Sequence, residues 1–84
     1  MPVISRFDGI IIKMYFIDDE HNPPHIHALY GDYNGIFLLE DGEILAGDIP
    51  GKQQKAVTDF INCYRDKLYE MWNTQEFELL PPIK

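Results

Sequence analysis

The spacing of the apolar residues changes once along this chain, near Pro50, and that change limits the architecture more than any other feature. After Pro50, apolar residues recur every three or four positions, which is the spacing of one face of a helix. This stripe consists of Val57, Phe60, Ile61, Tyr64, Leu68, Met71 and Trp72. We therefore predict a single long helix over residues 50–73, with Pro50 in its first turn.

The chain before Pro50 is typical of β-strands, because β-branched and aromatic residues cluster there between turn-forming pairs. Strands are predicted at residues 10–17, 25–30, 33–40 and 43–47. Gly31-Asp32 and Asp41-Gly42 separate successive strands, and two-residue turns of this kind connect antiparallel neighbours. The prediction is an α+β fold, in which a four-stranded antiparallel meander carries the long C-terminal helix on one face. The tail, residues 75–84, is predicted to be extended and to lie along the sheet.

The two turns also set the pairing of residues across the predicted sheet. The first turn pairs His27 with Ile36 and the second pairs Leu39 with Ile44, and paired residues share a face. The face towards the helix is then predicted to carry Ile26, Ala28, Tyr30, Tyr33, Phe37, Leu39, Ile44 and Ala46. The opposite face is predicted to carry His25, His27, Leu29, Asn34, Ile36, Leu38, Glu40, Glu43 and Leu45.

The face away from the helix is rich in apolar residues, and an apolar patch of that size calls for a cover. Three candidates could cover this face: the C-terminal tail, a second copy of the chain in a homodimer, or a separate protein. The two histidines of this face would lie beneath whichever cover is used.

Length and charge restrict the partners. The chain has 84 residues, which suits a single domain over residues 1–84. It carries 7 Lys and Arg against 14 Asp and Glu, a formal net charge of −7. Direct binding to nucleic acid is disfavoured, because phosphate contacts draw their affinity from cationic side chains. One cysteine, Cys63, permits no internal disulfide, and no apolar run is long enough for a bilayer, so we expect a cytoplasmic protein without membrane contact.

All three histidines lie in one short segment, His21-Asn22-Pro23-Pro24-His25-Ile26-His27. His25 and His27 project to the same side of a strand, because successive side chains alternate. Such a pair can hold a divalent metal such as zinc, with His21 as a third ligand. The pair can instead perform acid–base catalysis, since imidazole titrates near neutral pH. The residues are equally compatible with rings that only pack and hydrogen-bond.

The histidine segment, with the Ala28, Tyr30 and Gly31 that follow it, resembles a family of small prokaryotic proteins, the domain-of-unknown-function family numbered four-one-six-zero. The likeness extends to residues 1–7, to Asp41-Gly42-Glu43-Ile44 and to a helix with a late tryptophan, Trp72. The resemblance implies a functional role for the three histidines, which match the motif residue by residue. It also implies association with a second small protein encoded nearby, in a toxin–antitoxin-like pair.

We therefore predict a component of a toxin–antitoxin-like two-gene module that acts through a protein partner, encoded nearby, or through a homodimer. One alternative is a metal-binding enzyme or sensor that uses His21, His25 and His27. Another is a toxin that cleaves RNA without a metal, with His25 and His27 as acid and base; the negative net charge counts against it. Whether the protein is an enzyme is left open by the sequence.

Overall fold

The computed structural model describes residues 3–14 and 23–82, in which five strands are followed by one helix. They are β1 (Val3–Phe7), β2 (Ile10–Lys13), β3 (His25–Tyr30), β4 (Tyr33–Leu38), β5 (Ile44–Asp48) and α1 (Gly51–Thr74). The strands form one antiparallel sheet in chain order. The predicted α+β meander with one C-terminal helix is confirmed, but the sheet has five strands rather than four. Of the strand predicted at residues 10–17, the segment 15–17 lies outside the described residues.

The strand missing from the prediction is β1. Its sequence includes Ser5 and Arg6, which dilute the β-branched and aromatic signature of a strand. β1 turns into β2 at Asp8-Gly9, where both residues have positive φ, 52° and 78°. Positive φ at both positions is the geometry of a tight hairpin turn, for which an Asp-Gly pair is a strong signal. The sequence therefore contained evidence for β1, in a second Asp-Gly pair.

The predicted register between β3 and β4 is confirmed. Tyr30 pairs with Tyr33 and His27 pairs with Ile36, as expected for a two-residue turn at Gly31-Asp32. Every β3 residue therefore has the cross-strand neighbour that the sequence predicts.

The predicted register between β4 and β5 is wrong. Ile44 pairs with Phe37 instead of Leu39, because residues 39–43 form a longer connection in place of a two-residue turn. The register also shifts at a β-bulge, where Leu45 is the extra residue between Ile44 and Ala46. Ala46, which was predicted to face the helix, consequently pairs with Ile36 on the opposite face and is exposed.

Helix α1 packs on one face of the sheet, which we call the inner face. The fully buried apolar strand residues packed in this layer are Ile4, Ile10, Ile12, Ile26, Ala28 and Phe37. The residues that α1 buries against them are Val57, Phe60, Ile61, Leu68, Met71 and Trp72. These are all the predicted stripe residues except Tyr64, whose backbone leaves the helical range and marks a kink. Burial of each large apolar side chain contributes about 1.5–3 kcal/mol, so this layer dominates the stability.

The C-terminal tail runs beside β1. The N–H of Leu80 donates to the Ile4 carbonyl at 2.6 Å, and Ser5 Oγ donates to the Leu80 carbonyl at 2.9 Å. The side chain of Leu80 joins the core with 7% of its surface exposed. The tail is thus held at the β1 edge of the sheet and adds to the inner layer.

Candidate functional site

The face of the sheet opposite α1, which we call the outer face, is built from two rows of cross-strand neighbours. The first row contains Arg6, Ile11, Leu29, Asn34 and Asp48. The second row contains Val3, Lys13, His27, Ile36 and Ala46. The apolar residues at the centre of these rows, Ile11, Leu29 and Ile36, are half-buried, whereas their inner-face neighbours are fully buried. The described part of the chain therefore leaves an apolar strip along the middle of the sheet.

The charged side chains of the outer face lie towards its margins. Arg6 on β1 and Asp48 on β5 are exposed at opposite edges of the sheet, and Lys13 lies next to the β1 edge. Within residues 3–14 and 23–82, neither Arg6 nor Lys13 makes an ion pair. On α1, by contrast, Lys55 pairs with Asp59 at 3.0 Å. In an acidic protein, one edge of this face is thus cationic and the other anionic.

His25 begins β3 and is held in one orientation. Its ring is buried, with 7% of the residue exposed, and its centroid lies 5.2 Å from that of Trp72 on α1. Nδ1–H donates to the carbonyl oxygen of Pro23 at 2.8 Å. A carbonyl oxygen can only accept, so Nε2 carries the lone pair when this ring is neutral. The side chain is therefore fixed by the residues just before the strand and by the end of the helix.

The prediction that both histidines lie away from the helix is wrong for His25. Residue alternation places its side chain relative to the sheet plane, but does not tell what lies beyond the end of the strand. Helix α1 is kinked at Tyr64, and its last turn brings Trp72 to the ring of His25 at the start of β3.

His27 lies on the outer face, as predicted. It is half-buried between Lys13 on β2 and Ile36 on β4. Its ring centroid is 5.3 Å from that of His25, with the two planes inclined by 57°. The structure thus brings together the two histidines that the sequence placed on one side of a strand, one of them buried and the other at the surface.

The metal site proposed from the sequence lies only partly within the described residues. His21, the predicted third ligand, lies outside the described residues. Among residues 3–14 and 23–82, no group of three or more His, Cys, Asp or Glu side chains is arranged to hold a metal ion. A zinc site formed by His21, His25 and His27 stays a prediction, as does acid–base catalysis by His25 and His27.

Two features of the candidate site were not predicted from the sequence. One is the contact between His25 and Trp72, which are 47 residues apart in the chain and meet only in the packed molecule. The other is the pair of opposite charges, Arg6 and Asp48, at the two edges of the outer face. The second follows from β1, whose Asp8-Gly9 turn was the signal that would have placed Arg6 on this face.

The family model described as "Domain of unknown function (DUF4160)" matches residues 9–73, which include β2, the histidine segment and nearly all of α1. The chain belongs to this family. Neither a curated protein nor a solved structure gives a significant match. Within the described residues, α1 lacks the long apolar stretch that a membrane-crossing helix needs, and no other helix is present there.

Proposed function

We propose that this protein works by binding another protein through the outer face, as one component of a toxin–antitoxin-like two-gene module. The observation that carries the proposal is the apolar strip of Ile11, Leu29 and Ile36, which the described tail does not cover. A contiguous apolar strip bordered by polar and charged groups is a common feature of protein contact surfaces. The two-gene association is supported by the family resemblance of the histidine segment.

The arrangement of the histidines favours a contact role over catalysis. His25 is 7% exposed and packs against Trp72, so a substrate has little access to its ring. His27 is half-buried between Lys13 and Ile36, where an imidazole offers a partner both a flat surface and hydrogen-bonding nitrogens. The net charge of −7 is unfavourable for an RNA substrate. In this proposal His25 positions the strand and His27 contacts the partner.

A divalent metal such as zinc is the second candidate ligand, and one contact favours it. Histidines that ligate metals usually donate their second ring N–H to a carbonyl or carboxylate, and His25 donates Nδ1–H to Pro23 in this way. Zinc would then be bound through Nε2 of His25, with His27 and His21 as further ligands.

The partner proposal is tested by co-expressing the protein with the product of the adjacent gene and measuring the affinity of the purified pair by calorimetry. We expect Ile36→Glu to weaken binding at least about a hundredfold, because a carboxylate would be buried at the centre of the contact. Cys63→Glu is the matched control, since Cys63 is exposed on α1, on the other side of the sheet. Failure of the two proteins to bind, or equal affinities for the two variants, would contradict the proposal.

The metal candidate is tested separately by zinc titration and metal analysis of protein purified without a histidine tag. We expect one equivalent of zinc in the natural protein and loss of binding in both His25→Ala and His27→Ala. Zinc binding that survives both substitutions, or no binding at all, would remove this candidate.

A further inference from the structure

We infer that, in the absence of its partner, the outer face packs against the outer face of a second copy, about a two-fold axis that runs parallel to β3. This inference rests on the proposed function, because it takes the outer face to be a docking surface. The inference names what occupies that surface in the isolated protein, namely a second copy of the chain. This homodimer has to dissociate before any other partner can bind the same face.

The order of residues across the sheet carries the inference. The first row of the outer face runs from a cation, Arg6, through apolar Ile11 and Leu29 to Asn34 and an anion, Asp48. A two-fold axis along the central strand reverses this row in the second copy. Arg6 then lies opposite Asp48 of the second copy, and Leu29 lies opposite its own counterpart. The surface is therefore self-complementary: opposite charges face each other, and apolar residues face apolar residues.

The direction of the axis follows from the same row. An axis perpendicular to the strands would place Arg6 opposite Arg6 and Asp48 opposite Asp48, which brings like charges together. With the axis along β3, both Arg6–Asp48 contacts form at the two edges of the interface. Packed sheets are usually rotated by about 30°, which moves an edge strand by roughly 5 Å relative to its opposite. The long arginine side chain can span that offset.

The second row fits the same arrangement. His27 lies near the axis and faces its counterpart, so two imidazoles meet at the centre of the interface. Lys13 can lay its aliphatic stem over the apolar strip and keep its ammonium group at the margin, as lysines at such edges commonly do.

The size of the face predicts a weak dimer. Five strands at a spacing of about 4.8 Å and about four residues in length give a flat area of roughly 300 Å² on each copy, or roughly 600 Å² for both, which is below the usual range for a specific interface. The two copies also repel each other, because each has a net charge of −7. We therefore expect a reversible dimer with a micromolar Kd, which a tighter partner can displace.

The experiment is sedimentation velocity of the purified chain over the micromolar concentration range. We expect a monomer–dimer equilibrium, and an increase in Kd of about tenfold or more for Arg6→Glu and for Asp48→Arg, since each variant places like charges opposite each other. The double variant, Arg6→Glu with Asp48→Arg, restores the pairing with the signs exchanged and should recover most of the affinity. Asp66→Arg, an exposed position on α1, is the control for net charge.

Circular dichroism and thermal unfolding establish that each variant is folded. A monomer at all concentrations, or a dimer indifferent to Arg6→Glu and Asp48→Arg, would overturn the inference. A double variant as weak as the single variants would also overturn it, because the two charges would not then be opposed.

The proposed function is tested in a separate experiment, in which the protein is mixed with the product of the adjacent gene. A monomer that still binds that product would overturn the homodimer and leave the proposed function standing. A dimer that responds to the charge variants but does not bind that product would support the homodimer and contradict the two-protein module. Conversion of the dimer into a one-to-one complex on mixing supports both.

Discussion

The two faces of the sheet come from alternating residues of the same strands, yet within residues 3–14 and 23–82 a helix covers one of them alone. On β2, Ile10 and Ile12 point to the inner face and are fully buried, while Ile11 between them points outward and is half-buried. On β3, Ala28 is fully buried and Leu29 next to it is half-buried. Side chains of similar apolar character therefore differ in burial only because α1 lies on one side.

The difference teaches that apolar residues in a small protein need not all serve its stability. A chain of 84 residues forms five strands and one long helix, and that helix covers one face. The described tail adds Leu80 to the covered side and borders the other side at the β1 edge, beside Val3 and Arg6. Among the described residues, the apolar side chains at the centre of the outer face therefore stay half-buried.

The largest expected difference between the faces is at two adjacent residues of β4. Phe37 is fully buried on the inner face, and Phe37→Ala should lower the free energy of unfolding by about 3–5 kcal/mol, because it removes a large side chain and leaves a cavity. Ile36→Ala on the outer face should cost about 1 kcal/mol or less, since its side chain is already half in solvent. Urea denaturation at a concentration that keeps the chain monomeric measures both.

Comparable losses for the two variants would show that the outer face is as important for stability as the inner one. That result would contradict the division of roles between the faces. A loss near 5 kcal/mol removes most of the stability of a domain of this size, so Phe37→Leu provides a milder second variant whose loss should still exceed that of Ile36→Ala.

The bulge of β5 decides which of its residues face outward, and Gly47 tests it. Gly47 has φ of +90°, and a Cβ there would meet the Asn34 carbonyl oxygen and approach Gly35 Cα to 2.8 Å. Gly47→Ala should therefore cost about 2–3 kcal/mol, through backbone strain together with displacement of β4. Gly31→Ala is the matched control, because Gly31 has φ of +58° with nothing within 4 Å of its Cβ position, and should cost about 1 kcal/mol. Equal losses in thermal or urea unfolding would show that the contact with β4 is unimportant.

The register of β3 with β4 was predictable because it depends on a two-residue turn, which is local in sequence. The connection from β4 to β5 was not, although Asp41-Gly42 is a strong turn signal. Arg65 donates from Nε to the Leu39 carbonyl at 2.8 Å, and Thr58 donates to the Gly42 carbonyl at 2.7 Å. These contacts come from α1, 26 and 16 residues away in the chain, and they satisfy a longer loop. A local pattern cannot report interactions of that range.

The candidate site likewise combines features that depend on a short segment with features that depend on distant residues. The pairing of His27 with Ile36 followed from strand alternation and turn length, and both are properties of a short segment. The burial of His25 depends on where α1 ends relative to the sheet, which is a property of the packed molecule. The opposite charges of Arg6 and Asp48 required the strand that was overlooked, so they came into view only with the full sheet.

His25 and His27 are two residues apart on β3, and they offer a second comparison between a buried and a partly exposed side chain. His25→Ala should cost about 1–2 kcal/mol, because it leaves the Pro23 carbonyl without its donor and removes a ring packed on Trp72. His27→Ala should change the free energy of unfolding by less than about 0.5 kcal/mol, as expected for a partly exposed position. Tryptophan fluorescence is a suitable probe, since Trp72 is the chain's only tryptophan.

A larger loss for His27→Ala than for His25→Ala would mean that the outer face contributes packing that its exposure does not reveal. If His27→Ala is neutral for stability yet weakens partner binding or dimerisation, the two faces are separated in function as well as in burial.

The smallest effect is expected at an exposed contact of the tail, where charge rather than burial is involved. Lys67 Nζ lies 3.1 Å from Glu78 on the tail, and the hydrogen bond with Glu78 is the main reason that the pKa of Lys67 is raised above its usual 10.5. A raised pKa in the folded state stabilises the protein below the pKa of the unfolded chain. That contribution is lost as the pH rises through the folded value, hence above about 10.5.

The Lys67 side chain is 36% exposed and its ammonium group is in solvent, which screens this contribution, so Lys67→Met at neutral pH should give unfolding curves that overlap those of the natural protein. Leu80→Ala is the informative comparison, because it removes the buried anchor of the same tail and should shift the curve clearly to lower urea. If Lys67→Met were the more damaging of the two, the tail would be held by charge. The stability of the inner layer would then depend on pH where the tail joins it. That result would contradict the contrast between an inner face held by apolar burial and an outer face that carries the charged contacts.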